Sequence, residues 1–222
     1  MPSGEGASGR AHPEPSEAAV RDAIAAERGE LATLFASLPT ARWDEPTLCV
    51  GWRPREVLAH MTMAFRLSVP QFLLAMLAAR GSFNRMADRQ ARKDAADLSP
   101  EQLVQCLHDN VRHGWKPPGG GYVGALSHDV IHGLDITVCL GLDRNVPVER
   151  IRMVLDSVKP RQVKYFGTDL EGVELRATDL DWAMGSGSVV TGTAQHLLLA
   201  VCGRRLPEGL LEGEQSGRFA GA

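Results

Sequence analysis

Two histidines four residues apart, His128 and His132, sit in the stretch LSHDVIHGLDITVCL (Leu126 to Leu140). At about 100° per residue, four residues return to within roughly 40° of the starting direction, so on a helix both imidazoles leave one face a turn apart. That is the spacing of a metal-ligand pair, and a catalytic zinc typically takes three protein ligands with one position left open. A third histidine, His60, lies in a second amphipathic run, RPREVLAHMTMAFRL. If the three converge, two helices must pack with these faces together, and the chain must fold as a helical bundle around them.

The rest of the sequence supplies the other helices. Ser16 is a good N-cap, and Val20, Ile24, Leu31, Leu34, Phe35 and Leu38 follow a helical period, predicting helix one over 16–38. TARWDEPTLCVGW (40–52) is a loop with aromatic anchors, Trp43 and Trp52. Helix two is predicted from Arg53 towards Ala79, kinked or divided by Pro70. Residues 81–98 are charged and linker-like; Ser99, Pro100 and Glu101 open helix three, which is expected to reach Trp115 before KPPGGG breaks the chain. Helix four runs over about 122–140, with Gly141 as its cap. Beyond Pro147 come a helical pattern (148–165), an alternating strand (173–178), a strand, glycine-rich turn and strand in DLDWAMGSGSVVTG, and an apolar helix over 193–202.

The predicted architecture is mainly α: a disordered tail at 1–15, a four-helix bundle at 16–143, a small α+β domain at 148–206 and a loose tail at 207–222. With 222 residues and 44% hydrophobic content, the chain is large enough for a core of this size. The net charge of −3 and the lack of any Lys/Arg run disfavour nucleic-acid binding. Neither a secretory signal nor a membrane-spanning apolar run is found, and Cys49, Cys106, Cys139 and Cys202 show no disulfide or CxxC spacing. A cytoplasmic protein with reduced thiols is expected, either monomer or homodimer.

Several segments are similar to one family. PTLCVGWRPREVLAH (46–60) resembles the segment that opens helix two in the DinB-like, mycothiol-dependent maleylpyruvate isomerase family. HDVIHGLDITVCLGL (128–142) resembles its fourth helix, while LRATDLDWAMGSG and VTGTAQHLLLAVCGR resemble its C-terminal domain. The resemblance, over about 17–206, implies a DinB-like four-helix bundle with a divalent metal held by His60, His128 and His132. The first helix-four ligand of the founding isomerases is a glutamate, where this chain has His128. Metal binding is expected to survive that change, since all-histidine sites are common among DinB-like proteins. Mycothiol is the implied cosubstrate.

Three neutral imidazoles suit zinc, nickel, copper or iron, and ligand type alone does not choose among them; the resemblance implies zinc first, with manganese a further alternative. An open coordination position could lower the pKa of a bound water or hold a thiol as thiolate. The leading expectation is therefore a metal- and mycothiol-dependent isomerase or S-transferase acting on a small electrophile. The alternatives are metal-dependent hydrolysis of a small amide or ester, and a non-catalytic metal- or ligand-binding protein of stress response or regulation. Asp135, three residues after His132, is the candidate partner for an imidazole N–H, whereas Asp129 is assigned to the solvated face. His12, His108, His113 and His196 are given surface or structural roles, and Trp43 and Trp52 anchor their loop. Cys49, with no histidine or cation near it in sequence, is taken as a small buried residue. Arg53, Arg55, Arg66, Arg80 and Arg85 are the candidate cations for an acidic substrate, and the sequence does not choose among them.

Overall fold

A computed structural model describes residues 14–221. Apart from Glu14 and Pro15, the expected disordered tail lies outside the described residues, as does His12. Helix α1 (Glu17–Ala36) starts where the Oγ of Ser16 accepts the Ala19 N–H, as expected of an N-cap. Its buried stripe is Val20, Ile24, Leu31 and Phe35, with a charged residue, Arg28, at the position the helical period reserves for an apolar one. A short 3-10 helix (Thr40–Asp44) follows and seats Trp43 edge-on against Phe35.

The run predicted as one helix divides at its proline. Helix α2 (Pro54–Arg66) ends before Ser68, and α3 (Val69–Ala78) begins there with Pro70 in its first turn, because proline has no N–H for the preceding turn and its ring clashes with the carbonyl four residues back, leaving Leu67 and Ser68 extended. The linker-like segment is instead a fifteen-residue helix, α4 (Phe83–Asp97). Its inward face carries Met86, Ala87, Ala91 and Ala95 beside the buried Asp94, too small and sparse an apolar set to stand out among its charges. Helix α5 (Pro100–Asp109) opens with the Ser99–Gln102 capping box and stops six residues short of Trp115. Helix α6 (Gly121–Thr137) closes with Gly141 at φ +60° and the Leu142 N–H on the Thr137 carbonyl.

The bundle consists of α1, α2, α5 and α6, with α4 laid along α2 and α3 packed on α4. Helix α3 buries none of its residues, and Val69, Leu73, Leu74 and Leu77 are exposed.

After the bundle come α7 (Val148–Ser157) and α8 (Pro160–Tyr165), separated at Pro160, and then the strands β1 (Val173–Ala177), β2 (Ala183–Gly185) and β3 (Ser188–Gly192). Helix α9 (Ala194–Val201) and β4 (Leu211–Glu212) complete the unit, whose sheet order is β2-β1-β3-β4. The two strands around the glycine-rich turn do not pair with each other. β2 lies antiparallel on one side of β1, and β3 lies parallel on the other, with Leu175 opposite Val190. The chain crosses between them at Gly187 (φ +128°), where a Cβ would stand 2.2 Å from the Gly172 carbonyl oxygen, so only glycine fits.

Residues after Pro207 are not the loose tail expected. β4 pairs with β3, the Leu206 N–H donates to the Phe219 carbonyl, and Leu211 and Phe219 are buried, so the segment supplies enough apolar surface to dock. One apolar cluster runs from Val20 and Ile24 of α1 through Leu126, Val130 and Leu134 of α6 to Leu175, Val190, Leu197 and Leu198. Helix α6 is therefore gripped on both sides.

Candidate metal centre

His60 lies within the buried run from Val57 to Met63 on α2. On α6, Val130 and Leu134 fill the apolar core, and Gly133 lets α1 come so close that a Cβ there would meet both Leu31 methyl carbons at 2.9 Å. His128 and His132 share the remaining face, which meets α2. The three imidazoles form a nearly equilateral triangle, with centroids 5.0 Å (His60–His128), 4.9 Å (His60–His132) and 4.8 Å (His128–His132) apart. One nitrogen of each lies within 4.8 Å of one nitrogen of the others. Rings about 5 Å apart are what three nitrogens produce when each is about 2.0–2.1 Å from a common tetrahedral centre.

Behind the two α6 imidazoles stand two similar relays. His128 Nδ1 faces Asp129 Oδ1 at 3.0 Å, and the other oxygen of Asp129 accepts from Arg28 Nε at 2.7 Å. His132 Nδ1 faces Asp135 Oδ2 at 3.0 Å, and Asp135 accepts from Arg204 Nε at 2.9 Å and Nη2 at 2.8 Å. A carboxylate acceptor at Nδ1 places the proton there and leaves the Nε2 lone pair free. Burial would raise the Asp135 carboxyl, but the hydrogen bonds and charge of Arg204, then those of His132, hold it well below the usual carboxylate range. Burial pushes His60 well below the ordinary histidine value, helped by His132 and His128, and also lowers His132. Burial thus favours the neutral form of His60 and His132. The Nδ1 of His60 is buried with no hydrogen-bond partner among the described residues.

Two indoles flank the triangle. The Trp52 ring is 5.1 Å from His60, its Nε1 donating to Asp88 at 2.8 Å, and the Trp115 ring is 5.2 Å from His128. Trp43 is a buried anchor as expected, whereas Trp52 stands beside a candidate ligand.

Two expectations are corrected. Asp129 is not on a solvated face: it is 1% exposed, because Arg28 reaches it from α1. Cys49 does have a histidine and a cation nearby, with His132 Nδ1 at 3.8 Å and Arg204 Nη2 at 3.6 Å, brought from 83 and 155 residues away. Its thiol donates to Asp135 Oδ2 at 3.1 Å, and burial, then the Asp135 charge, pushes its pKa up. It is a protonated donor rather than a nucleophile.

Among the candidate arginines, Arg53 and Arg55 pair with Asp44, Arg66 pairs with Asp94, and Arg85 donates to the Ala79 carbonyl. Arg80, at φ +53°, ends the α3 turn. Sequence reasoning missed Arg28 and Arg204. Arg28 was detectable as a charge on the apolar stripe of α1; Arg204, just past α9, carried no such mark. His108 is on the surface beside Asp109, and His196 contacts Thr193. The His113 carbonyl accepts from Arg28 at 2.9 Å.

Comparison with known proteins agrees with this architecture. Two uncharacterized proteins of Mycobacterium tuberculosis are each 26% identical over 217 residues, an alignment covering 82% of this chain and 84% of theirs. The crystal structure of the mycothiol-dependent maleylpyruvate isomerase superimposes with a TM-score of 0.61 at 14% identity, covering 90% of this chain and 94% of that one. A histidine-to-alanine mutant of that enzyme gives 0.59 over the same coverage. Residues 24–113 match the family profile of the mycothiol maleylpyruvate isomerase N-terminal domain. That segment is similar to the family's N-terminal domain, and the chain shares the fold of the isomerase over nine-tenths of its length.

Proposed function

We propose that His60, His128 and His132 hold one divalent metal ion, zinc first and nickel, iron or manganese as alternatives, and that the protein is a mycothiol-dependent enzyme. Its reaction class is thiol transfer to, or thiol-assisted isomerisation of, a small electrophilic substrate. The observation that carries the reading is the imidazole triangle with Nδ1 of both α6 histidines committed to carboxylates. The orphaned His60 Nδ1 fits the same reading, since a buried polar atom without a partner is costly unless its ring is used.

A divalent ion in such a set would favour the thiolate form of a bound thiol and hold it near an electrophile. Residues of this chain set the conditions for that chemistry. His60 and His132 stay neutral and available because burial disfavours their cations. Asp129 and Asp135 fix the tautomers of His128 and His132, while Arg28 and Arg204 cancel their charges, so the donor set adds no net negative charge. A site of that balance favours an anionic ligand such as a thiolate. Trp52 and Trp115 bound the site with apolar surface. Metal-water hydrolysis is less well supported, because the carboxylates touching the imidazoles are each tied to an arginine and unsuited to act as general base. We assign the bundle to 16–143 and the appended α+β unit to 148–206, the latter followed by its docked tail.

The test is elemental mass spectrometry on wild type and on His60→Ala, His128→Ala and His132→Ala, followed by turnover of mycothiol with a thiol-reactive electrophile. About one metal per chain, lost in each folded variant, together with metal- and thiol-dependent turnover, is the expected result. Retention of metal in all three variants overturns the ligand set. Turnover without thiol moves the assignment to hydrolysis, and metal binding without turnover moves it to a sensor.

A further inference from the structure

Arg28 is 0% exposed on α1, in a position the helical stripe of Ile24, Leu31 and Phe35 would otherwise fill with an aliphatic side chain. A guanidinium there is costly, and an apolar pair in place of a buried ion pair commonly leaves a protein at least as stable. The charge therefore calls for a reason other than packing. Its Nε engages Asp129, itself 1% exposed, and the second oxygen of Asp129 faces His128 Nδ1. Its Nη1 donates to the carbonyls of His113 at 2.9 Å and Asn110 at 3.3 Å, closing the chain after α5, and its guanidinium carbon stands 4.9 Å over the Phe65 ring. The segment held by these carbonyls carries Trp115, whose backbone N–H donates to His113 Nδ1 and whose ring lies against His128. Arg28 thus reaches His128 twice, from behind through Asp129 and from the front through the 110–115 segment.

We infer that Arg28 is a positioning residue of the metal centre, its buried charge serving to fix the ring and tautomer of His128 rather than to stabilise the fold. The inference rests on the three-histidine reading above. Partners at this remove from a metal typically change affinity by 10–100-fold.

The experiment measures zinc affinity by chelator competition, the visible spectrum of the cobalt-substituted protein, and urea unfolding. The proteins are wild type, Arg28→Lys, Arg28→Met, the double variant Arg28→Met/Asp129→Leu, and Arg150→Met as a control. Arg150 is a similarly buried arginine, paired with Glu27 and Glu30 away from the imidazoles. The double variant removes both charges and is expected to recover stability lost in Arg28→Met, yet to bind zinc about 10–100-fold more weakly than wild type with an altered cobalt spectrum. Arg28→Lys is expected to keep part of the affinity, and Arg150→Met to lose stability without losing affinity. A double variant that recovers stability and zinc affinity together overturns the inference and leaves the metal reading intact. If the double variant does not fold, Arg28→Lys with unchanged affinity and spectrum overturns it equally. A wild type that takes up no zinc overturns the metal reading, and this inference with it.

Discussion

Arg204 and Asp135, 69 residues apart, form a two-pronged ion pair in which Nε reaches Oδ1 at 2.9 Å and Nη2 reaches Oδ2 at 2.8 Å. It ties the segment after α9 to the carboxylate behind His132. Asp135 is wholly buried and the Arg204 side chain is 16% exposed, and removing one member of such a pair strands the other's charge. Arg204→Met is therefore expected to lower unfolding stability by about 3–5 kcal/mol in urea titrations. Asp135→Asn should lose a similar amount and, in addition, weaken metal retention through His132.

Cys49 donates to the same carboxylate but lies outside the imidazole triangle. Cys49→Ala should cost about 1 kcal/mol, the worth of one hydrogen bond, and leave metal content unchanged. Because burial raises its thiol, Cys49 should label slowly with iodoacetamide at neutral pH in the folded protein and rapidly in urea. Loss of metal in Cys49→Ala would make the thiol a ligand.

Glu30 on α1 accepts two hydrogen bonds from Arg150, which hold its carboxyl below the ordinary 4.5 against the opposing effect of burial. The unfolded chain takes up this proton first as pH falls. The stabilisation is therefore complete above about pH 4.5 and is lost as pH drops towards the folded value. With the Glu30 side chain 46% exposed, solvent screening limits the effect to about 0.5 kcal/mol. Glu30→Gln should make the acid limb of stability against pH shallower by that amount.

Gly133, next to His132, sets the approach of α1 to α6. A leucine there must displace the buried Leu31 side chain, so Gly133→Leu should lose about 1–3 kcal/mol in thermal or urea unfolding and reduce metal occupancy as α6 shifts. Unchanged stability would mean that the two helices separate freely.

What the sequence made legible was whatever has a local period. The His128–His132 spacing, the division at Pro70, the Ser16 and Ser99 caps and the Gly141 stop each depend on residues within a turn of one another. Helix α4 escaped because its buried face is mostly alanine, which helps a helix form but marks no apolar stripe. The arginine ends of the relays escaped for a different reason. The spacing to His132 marked Asp135, but Asp129 meets an arginine 101 residues away and Asp135 one 69 residues away, so nothing nearby marked either pairing. Only Arg28 left a trace, as a charge where an aliphatic residue was due.

The segment that matches the family profile, 24–113, contains His60 and Arg28 but neither His128 nor His132, nor Asp129, Asp135 or Arg204. The resemblance is thus written in one stretch of the chain, and most of the candidate chemistry in another. A lineage could exchange a ligand on α6, and with it the reaction, while its hallmark segment stayed the same. A match to that segment therefore spans one imidazole of this chain and leaves the other two to be asked for separately.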